Sequence, residues 1–216
     1  MNKIQLMYDV VKTMHGKETV NGMIKAEVDK DRINIFSMQN DFEKNLLSGR
    51  IKAKAKAEVD YEGKRVKRES NDGVFMRFFA AKQHEFRGHS HHLYGSHAGL
   101  KGRLSKAVVA LSVLNAMQVE EREDKTIVIS LHAMDLPEDM KQLFHEKMLR
   151  AGECRHHGHS FMGEFLFADK LDLRASLFIN ENYEIETVAL NVDGIQIDEQ
   201  GKQHLLKAKA DLRFAW

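Results

Sequence analysis

Between Ile51 and Tyr61 the chain alternates without a break. Ile51, Ala53, Ala55, Ala57, Val59 and Tyr61 take one set of positions, and Lys52, Lys54, Lys56, Glu58 and Asp60 take the other. On a helix the two sets would mix around the circumference; on extended chain a period of two sends them to opposite faces. One face then meets a core and the other meets water, the signature of a half-buried antiparallel strand. The same rhythm runs through Val20, Gly22, Ile24, Ala26 and Val28, through Leu171, Leu173, Ala175, Leu177 and Ile179, and through Leu206, Ala208, Ala210, Leu212 and Phe214. Asp29-Lys30-Asp31, Ser48-Gly49, Glu62-Gly63, Asn180-Glu181-Asn182 and Asp193-Gly194 read as turns between strands. Further strands are expected over Arg32–Phe42, Lys64–Glu69, Thr126–Leu131 and Tyr183–Val192.

Three segments break this rhythm with helical spacing. In Met1–Met14, Ile4, Met7, Tyr8, Val11 and Met14 fall on one face. Residues 103–118 carry no charge from Ala107 to Gln118, so the helix they predict is buried on most sides. Asp135-Leu136-Pro137-Glu138-Asp139 is a helix start, with proline in the first turn and acids at the positive end of the dipole; that helix is expected to reach about Arg150, with Gly152 as its cap. Glu120–Asp124 reads as an exposed acidic turn.

The 216 residues are 43% hydrophobic, which is enough for a core and excludes wholesale disorder. Lys and Arg number 33 against 32 Asp and Glu, so no electrostatic case for nucleic-acid binding exists. The single cysteine excludes an intrachain disulfide. No run approaches the roughly 18 apolar residues of a membrane span, and the first residues lack a signal-peptide pattern; a cytoplasmic protein is the expectation. With one proline and no linker-like stretch, residues 1–216 read as a single domain with an insertion at about 71–100 and a second loop at about 152–160. The fold class is α+β: a curved antiparallel sheet, half-barrel-like, packed against two or three helices. Alanine on the inward face of two strands leaves room for a close-packed element, and the 103–118 helix is the natural one.

This layout resembles the half-barrel of the bacterial lipoprotein carriers and related lipoprotein domains. The resemblance lies in the alternating run Arg50–Tyr61, the segment Lys125–Leu149 and the closing run Asn182–Phe214. It implies a sheet curved around helices, able to shelter acyl chains, and no catalytic residue. Carriers of that family have no His-rich insertion.

Histidine is the chemical anomaly. Of 12 histidines, eight lie in two short segments: His84, His89, His91, His92 and His97 in the first, and His156, His157 and His159, beside Cys154, in the second. Neutral imidazole and thiolate are ligands for Zn, Ni and Cu. His89/His91 and His157/His159 are each separated by one residue, so on extended chain each pair points the same way. The expected sites are His89, His91, His92 and His97 for one ion and Cys154, His156, His157 and His159 for another. A helix, a strand and a helix intervene, which favours two separate sites unless a homodimer joins the loops. Zinc-finger spacing is absent, and His145-Glu146 is not followed by a second histidine at protease spacing. Cys154 with a neighbouring histidine lacks a third, orienting group for nucleophilic catalysis.

The basic run Arg50, Lys52, Lys54, Lys56, Lys64, Arg65, Lys67 and Arg68 lies on strands and has no aromatics to stack bases. Phe75, Phe78, Phe79 and Phe86 would anchor the insertion to the core. The functional expectation is non-enzymatic binding of a transition metal ion (Zn, Ni or Cu) for storage, sensing or delivery. The alternatives are a carrier or sensor of an apolar, lipid-like ligand in a half-barrel cavity, and a protein-interaction module using the basic face.

Overall fold

An antiparallel pairing of residues 21–30 with residues 206–215 brings distant parts of the sequence side by side. In this computed structural model, which describes residues 2–71 except Glu62, 111–142 except Asp139, Ala168, and 170–216 except Glu199, the strands form one sheet. They are β1 (Thr19–Lys30), β2 (Ile33–Asn45), β3 (Ile51–Tyr61), β4 (Lys64–Ser70), β5 (Gln118–Glu121), β6 (Ile127–His132), β7 (Lys170–Ile179), β8 (Ile185–Ile197) and β9 (Gln203–Ala215). The nine strands run in the order β4-β3-β2-β1-β9-β8-β7-β6-β5, so the sheet is open, with β4 and β5 at its edges. Every pairing is antiparallel. The expected antiparallel sheet is therefore present, and it dominates the fold.

Cross-strand partners share a face, and the register carries the alternation across the sheet. One row runs Ala208, Val28, Phe36, Val59, Val66; another runs Leu212, Ile24, Asn40, Ala55. The same face continues through Val188, Leu177, Ile129 and Val119. The opposite face carries Lys25, Asp41, Lys54, Glu58, Lys67, Lys209 and Arg213. There Lys52 pairs with Glu43 at 3.3 Å, Lys56 with Glu69 at 3.3 Å, and Lys67 with Glu58 at 2.9 Å. Glu58 also takes Arg65, and these two cations, Lys67 foremost, hold its carboxyl below the ordinary value. The basic run is thus largely interleaved with acids, as suits a solvated sheet face.

Helix α1 (Lys3–His15) begins at Asn2, whose Oδ1 accepts from the amides of Ile4 (3.0 Å) and Gln5 (3.4 Å), an N-cap. Leu6 and Val10 are buried with Ile127, Ile129 and Ile179, and Met7 and Met14 pack around them. The stripe expected from sequence is corrected here: Ile4, Tyr8 and Val11 are 62%, 61% and 48% exposed. An apolar helix this short offers two overlapping stripes, and the sheet selects the one through Leu6 and Val10. Lys3 Nζ donates to the carbonyls of Leu114 (3.2 Å) and Asn115 (3.3 Å), at the end of a helical segment over 111–116, and to Met117 O (2.5 Å). A cation on the last carbonyls of a helix complements its dipole. This described end of the expected 103–118 helix lies beside α1; its earlier turns fall outside the described residues.

Three turns differ from expectation. The β1–β2 reversal is at Asp31 and Arg32, with φ of 51° and 69°, a two-residue turn achieved without glycine. Gly194 is no turn but sits inside β8, where an added Cβ would lie 3.3 Å from Leu171 Cδ2 and 3.4 Å from Leu206 Cβ. It is there for close packing, and the chain turns instead at Asp198–Lys202, with Gly201 at φ +80°. The acidic segment at 118–121 is the edge strand β5, and the turn follows it at Arg122–Lys125.

Candidate functional site

The eight expected metal ligands, His89, His91, His92, His97, Cys154, His156, His157 and His159, lie outside the described residues, as does the aromatic stretch from Phe75 to Phe86. Among the described residues no group of three or more His, Cys, Asp or Glu is arranged to hold a metal ion. Two described imidazoles already have carboxylate partners. His132 Nε2 meets Asp172 Oδ1, while Arg174 donates to Asp172 Oδ2 through Nη2 at 2.6 Å. These two contacts, His132 first, hold the Asp172 carboxyl below its ordinary value.

His204 is more enclosed, with its side chain 15% exposed. Its Nδ1 lies 2.7 Å from Asp31 Oδ2 and its Nε2 lies 3.3 Å from Asp198 Oδ2. Asp31 Oδ1 accepts the Leu205 amide at 2.9 Å, and Asp198 Oδ1 accepts those of Gln200 (2.9 Å) and Lys202 (2.8 Å). The contact with His204, then the Leu205 amide, lowers the Asp31 carboxyl; the Lys202 amide leads in lowering Asp198. This clamp ties the β1–β2 turn to the β8–β9 turn and is structural.

The concave feature lies at the other end of these strands, where β9, β1, β2 and β3 run side by side. Phe214, Gly22, Phe42 and Ala53 form one register row on the apolar face. Glycine and alanine leave room within this row, and the Phe42 ring fills the part over Gly22. Phe42 lies across Gly22, so close that an added Cβ would be 2.6 Å from the ring. Its ring meets Phe214 edge to face at 6.5 Å and 88°. The depression at this row has a volume of about 800 Å³ and is lined mostly from polar-face positions, Asp41, Glu43, Lys52, Lys54 and Arg213 among them, with Ile51 and Asn71 at its border. Ala53 is 5% exposed, whereas Ile51 at the rim is 43% exposed.

The wall is held from behind. Phe214 stacks on Trp216 at 5.3 Å, the Trp216 Nε1–H donates to Ile185 O at 2.7 Å, and Lys17 Nζ lies 5.4 Å over the indole. Lys17 also pairs with Glu184, whose carboxyl Asn180 and then Lys17 hold below its usual value. None of these contacts was read from the sequence. The one available signal was Gly22, a missing side chain in an otherwise unbroken inward set, which marks a close approach of another group.

Charge on the two faces of β1–β4 is sorted by sign. The strand acids Glu27, Asp29, Asp41, Glu43, Glu58, Asp60 and Glu69 all stand on the polar face. The apolar face carries Lys30, Lys44, Lys64 and Arg68 at paired positions, and no acid. It also holds Asn40, 1% exposed, whose Oδ1 has no hydrogen-bond partner among the described residues.

The chain matches no protein-family model, and no curated protein is similar to it in sequence. Among the described residues no helix is long and apolar enough to cross a membrane.

Proposed function

We propose that the protein binds an apolar, lipid-like ligand on the apolar face of its sheet, at the depression between Phe42 and Phe214. The observation that carries this reading is the apolar row Phe214, Gly22, Phe42, Ala53 with an exposed Ile51 beside it, at a depression whose lining also takes in Asp41, Glu43, Lys52, Lys54 and Arg213. A sheet face that is largely apolar must be covered over most of its area. Helix α1 covers the part at β6 and β7, through Leu6 and Val10. A sheet that curls as a half-barrel over the remainder is the architecture this function needs. The volume falls within the roughly 300–1,000 Å³ of small-molecule pockets. Native mass spectrometry of protein prepared without detergent tests the reading, with Ala53→Trp as the filled variant. A co-purifying or added apolar ligand bound by the parent and lost from a folded Ala53→Trp protein is the expected result. Equal binding by both proteins would contradict it.

A second reading rests on the sequence: transition-metal binding through His89, His91, His92, His97, Cys154, His156, His157 and His159, with or without a homodimer. The one-residue spacings within these segments support it. The two readings separate cleanly. Metal binding should vanish in a His89/His91/His92→Ala variant and fall as pH drops through about 6, where imidazole protonates. Binding of the apolar ligand should not respond to those substitutions.

A further inference from the structure

We infer that the turn between β2 and β3 inserts into a lipid bilayer that carries anionic headgroups. Leu46 and Leu47 enter the acyl boundary, and Arg50 and Lys52 meet the headgroups. This surface is independent of the apolar-ligand reading and survives its failure.

Leu47 is 77% exposed, Leu46 41% and Ile51 43%, three large apolar side chains at a single turn. A lone exposed leucine is ordinary; a cluster of apolar side chains on a projecting turn marks a contact surface. The turn has a fixed shape. Asn45 Oδ1 accepts the Ser48 amide at 2.6 Å and the Ser48 hydroxyl at 2.8 Å. The Asn45 amide donates to Arg50 O at 2.9 Å, and the amide of Gly49, whose φ is +70°, donates to Asn45 O at 2.9 Å. The Leu46 amide donates to Glu18 O at 2.7 Å, which ties the turn to the start of β1. An ordered loop thus holds the leucines in solvent, and little freedom is left to lose on insertion.

The chemistry around the tip suits a membrane interface. Arg50 and Lys52 are exposed beside the leucines, and Lys44 is half-buried. The acids nearest in sequence are Glu18, which is exposed, and Glu43, which Lys52 engages at 3.3 Å. Trp216, 37% exposed, lies at the same end of the sheet, because β9 ends beside the start of β1, and Lys17 sits 5.4 Å over its indole. Tryptophan and basic side chains beside apolar ones favour the headgroup boundary, and the cations favour an anionic one. A protein partner fits less well. A stable protein interface takes about 800 Å² from each side, and three aliphatic side chains on one turn supply only a fraction of that.

The test is cosedimentation with vesicles of phosphatidylcholine containing about 30% phosphatidylglycerol, and with phosphatidylcholine alone. The parent is compared with Leu46→Ser,Leu47→Ser and with Ile33→Ser. Ile33, 68% exposed at the opposite end of β2, controls for loss of an exposed apolar side chain elsewhere. The parent should bind the anionic vesicles, with a blue shift of Trp216 fluorescence, and should bind phosphatidylcholine more weakly. The double variant should bind roughly tenfold or more weakly, the scale of withdrawing two partly buried leucines from an apolar phase. Ile33→Ser should match the parent. Equal binding by the double variant and the parent, or an equal loss in Ile33→Ser, would overturn the insertion. Equal binding to both vesicles would overturn the role of the cations. Absence of binding to either vesicle would overturn the whole proposal, and a parent dimer that the double variant fails to form would give the turn to a second copy of the chain instead.

Discussion

Adding one methyl group at Gly22 should destabilise this protein, although glycine-to-alanine changes in strands are ordinarily favourable. A Cβ at Gly22 would sit 2.6 Å from the Arg213 carbonyl oxygen on β9 and 2.6 Å from Cζ of Phe42. Ordinary contact needs about 3.5–4.0 Å, so roughly an ångström must be found. Phe42 could swing away, but doing so abandons its edge contact with Phe214. The Arg213 oxygen is backbone and can retreat only if β1 and β9 part. Overpacking of this kind costs about 1–3 kcal/mol, and reduced freedom of the unfolded chain returns about 0.4–1 kcal/mol. These terms net to between about 0 and 2.6 kcal/mol, and with a backbone oxygen as one of the two clashing atoms Gly22→Ala should lose about 1–2 kcal/mol. For a chain of this size that is a drop in Tm of about 2–8 °C, followed by far-UV circular dichroism on heating. A Tm equal to or above the parent's would refute the close approach of Phe42 over β1, and with it the geometry of the depression.

Leu6→Ala should cost about 3 kcal/mol in guanidinium unfolding, because Leu6 is 2% exposed among Ile127, Ile129 and Ile179; Ile4→Ala, at a 62% exposed position, should change stability by under about 0.5 kcal/mol. His204→Gln should lose about 1 kcal/mol in urea, since it breaks the link between two turns. The pH dependence has a definite sign. Asp31 is held below its ordinary value chiefly by His204, so its contribution is complete above the unfolded value of about 4 and drains as pH falls through the lowered folded value. The parent should lose stability on acidification through that window, and His204→Gln should lose less; parallel curves would remove the clamp from the account.

The sheet was legible because its chemistry is repeated at every strand. Ile51–Tyr61 alternates so strictly that only one pairing parity keeps alanine inward, and β2 and β4 then follow from their partners. Boundaries were harder where local signals compete with tertiary ones. Asp193-Gly194 has the composition of a turn, yet the glycine serves the packing of Leu171 and Leu206 from neighbouring strands. The acids of 118–121 read as loop because β5 is an edge strand with little to bury. In α1, Ile4 and Leu6 are equally apolar, and only the position of Ile127 and Ile179 decides which stripe goes inside. The depression was invisible for a related reason. It is made by contacts across four strands, and Phe214 gains its wall position from Trp216 and Lys17, residues almost the whole chain apart. The sorting of acids and bases between the two faces of β1–β4 becomes visible only once the register is known.

Trp216 is the only tryptophan, and it stacks on the Phe214 wall of the depression. The most direct test of the central claim is therefore quenching of its fluorescence by a long-chain ligand brominated along the chain, with an unbrominated ligand as the control. The account predicts saturable quenching of Trp216 at ligand concentrations below aggregation, and none with the unbrominated ligand. Binding detected by calorimetry without any quenching of Trp216 in the parent would place the ligand elsewhere and contradict the account.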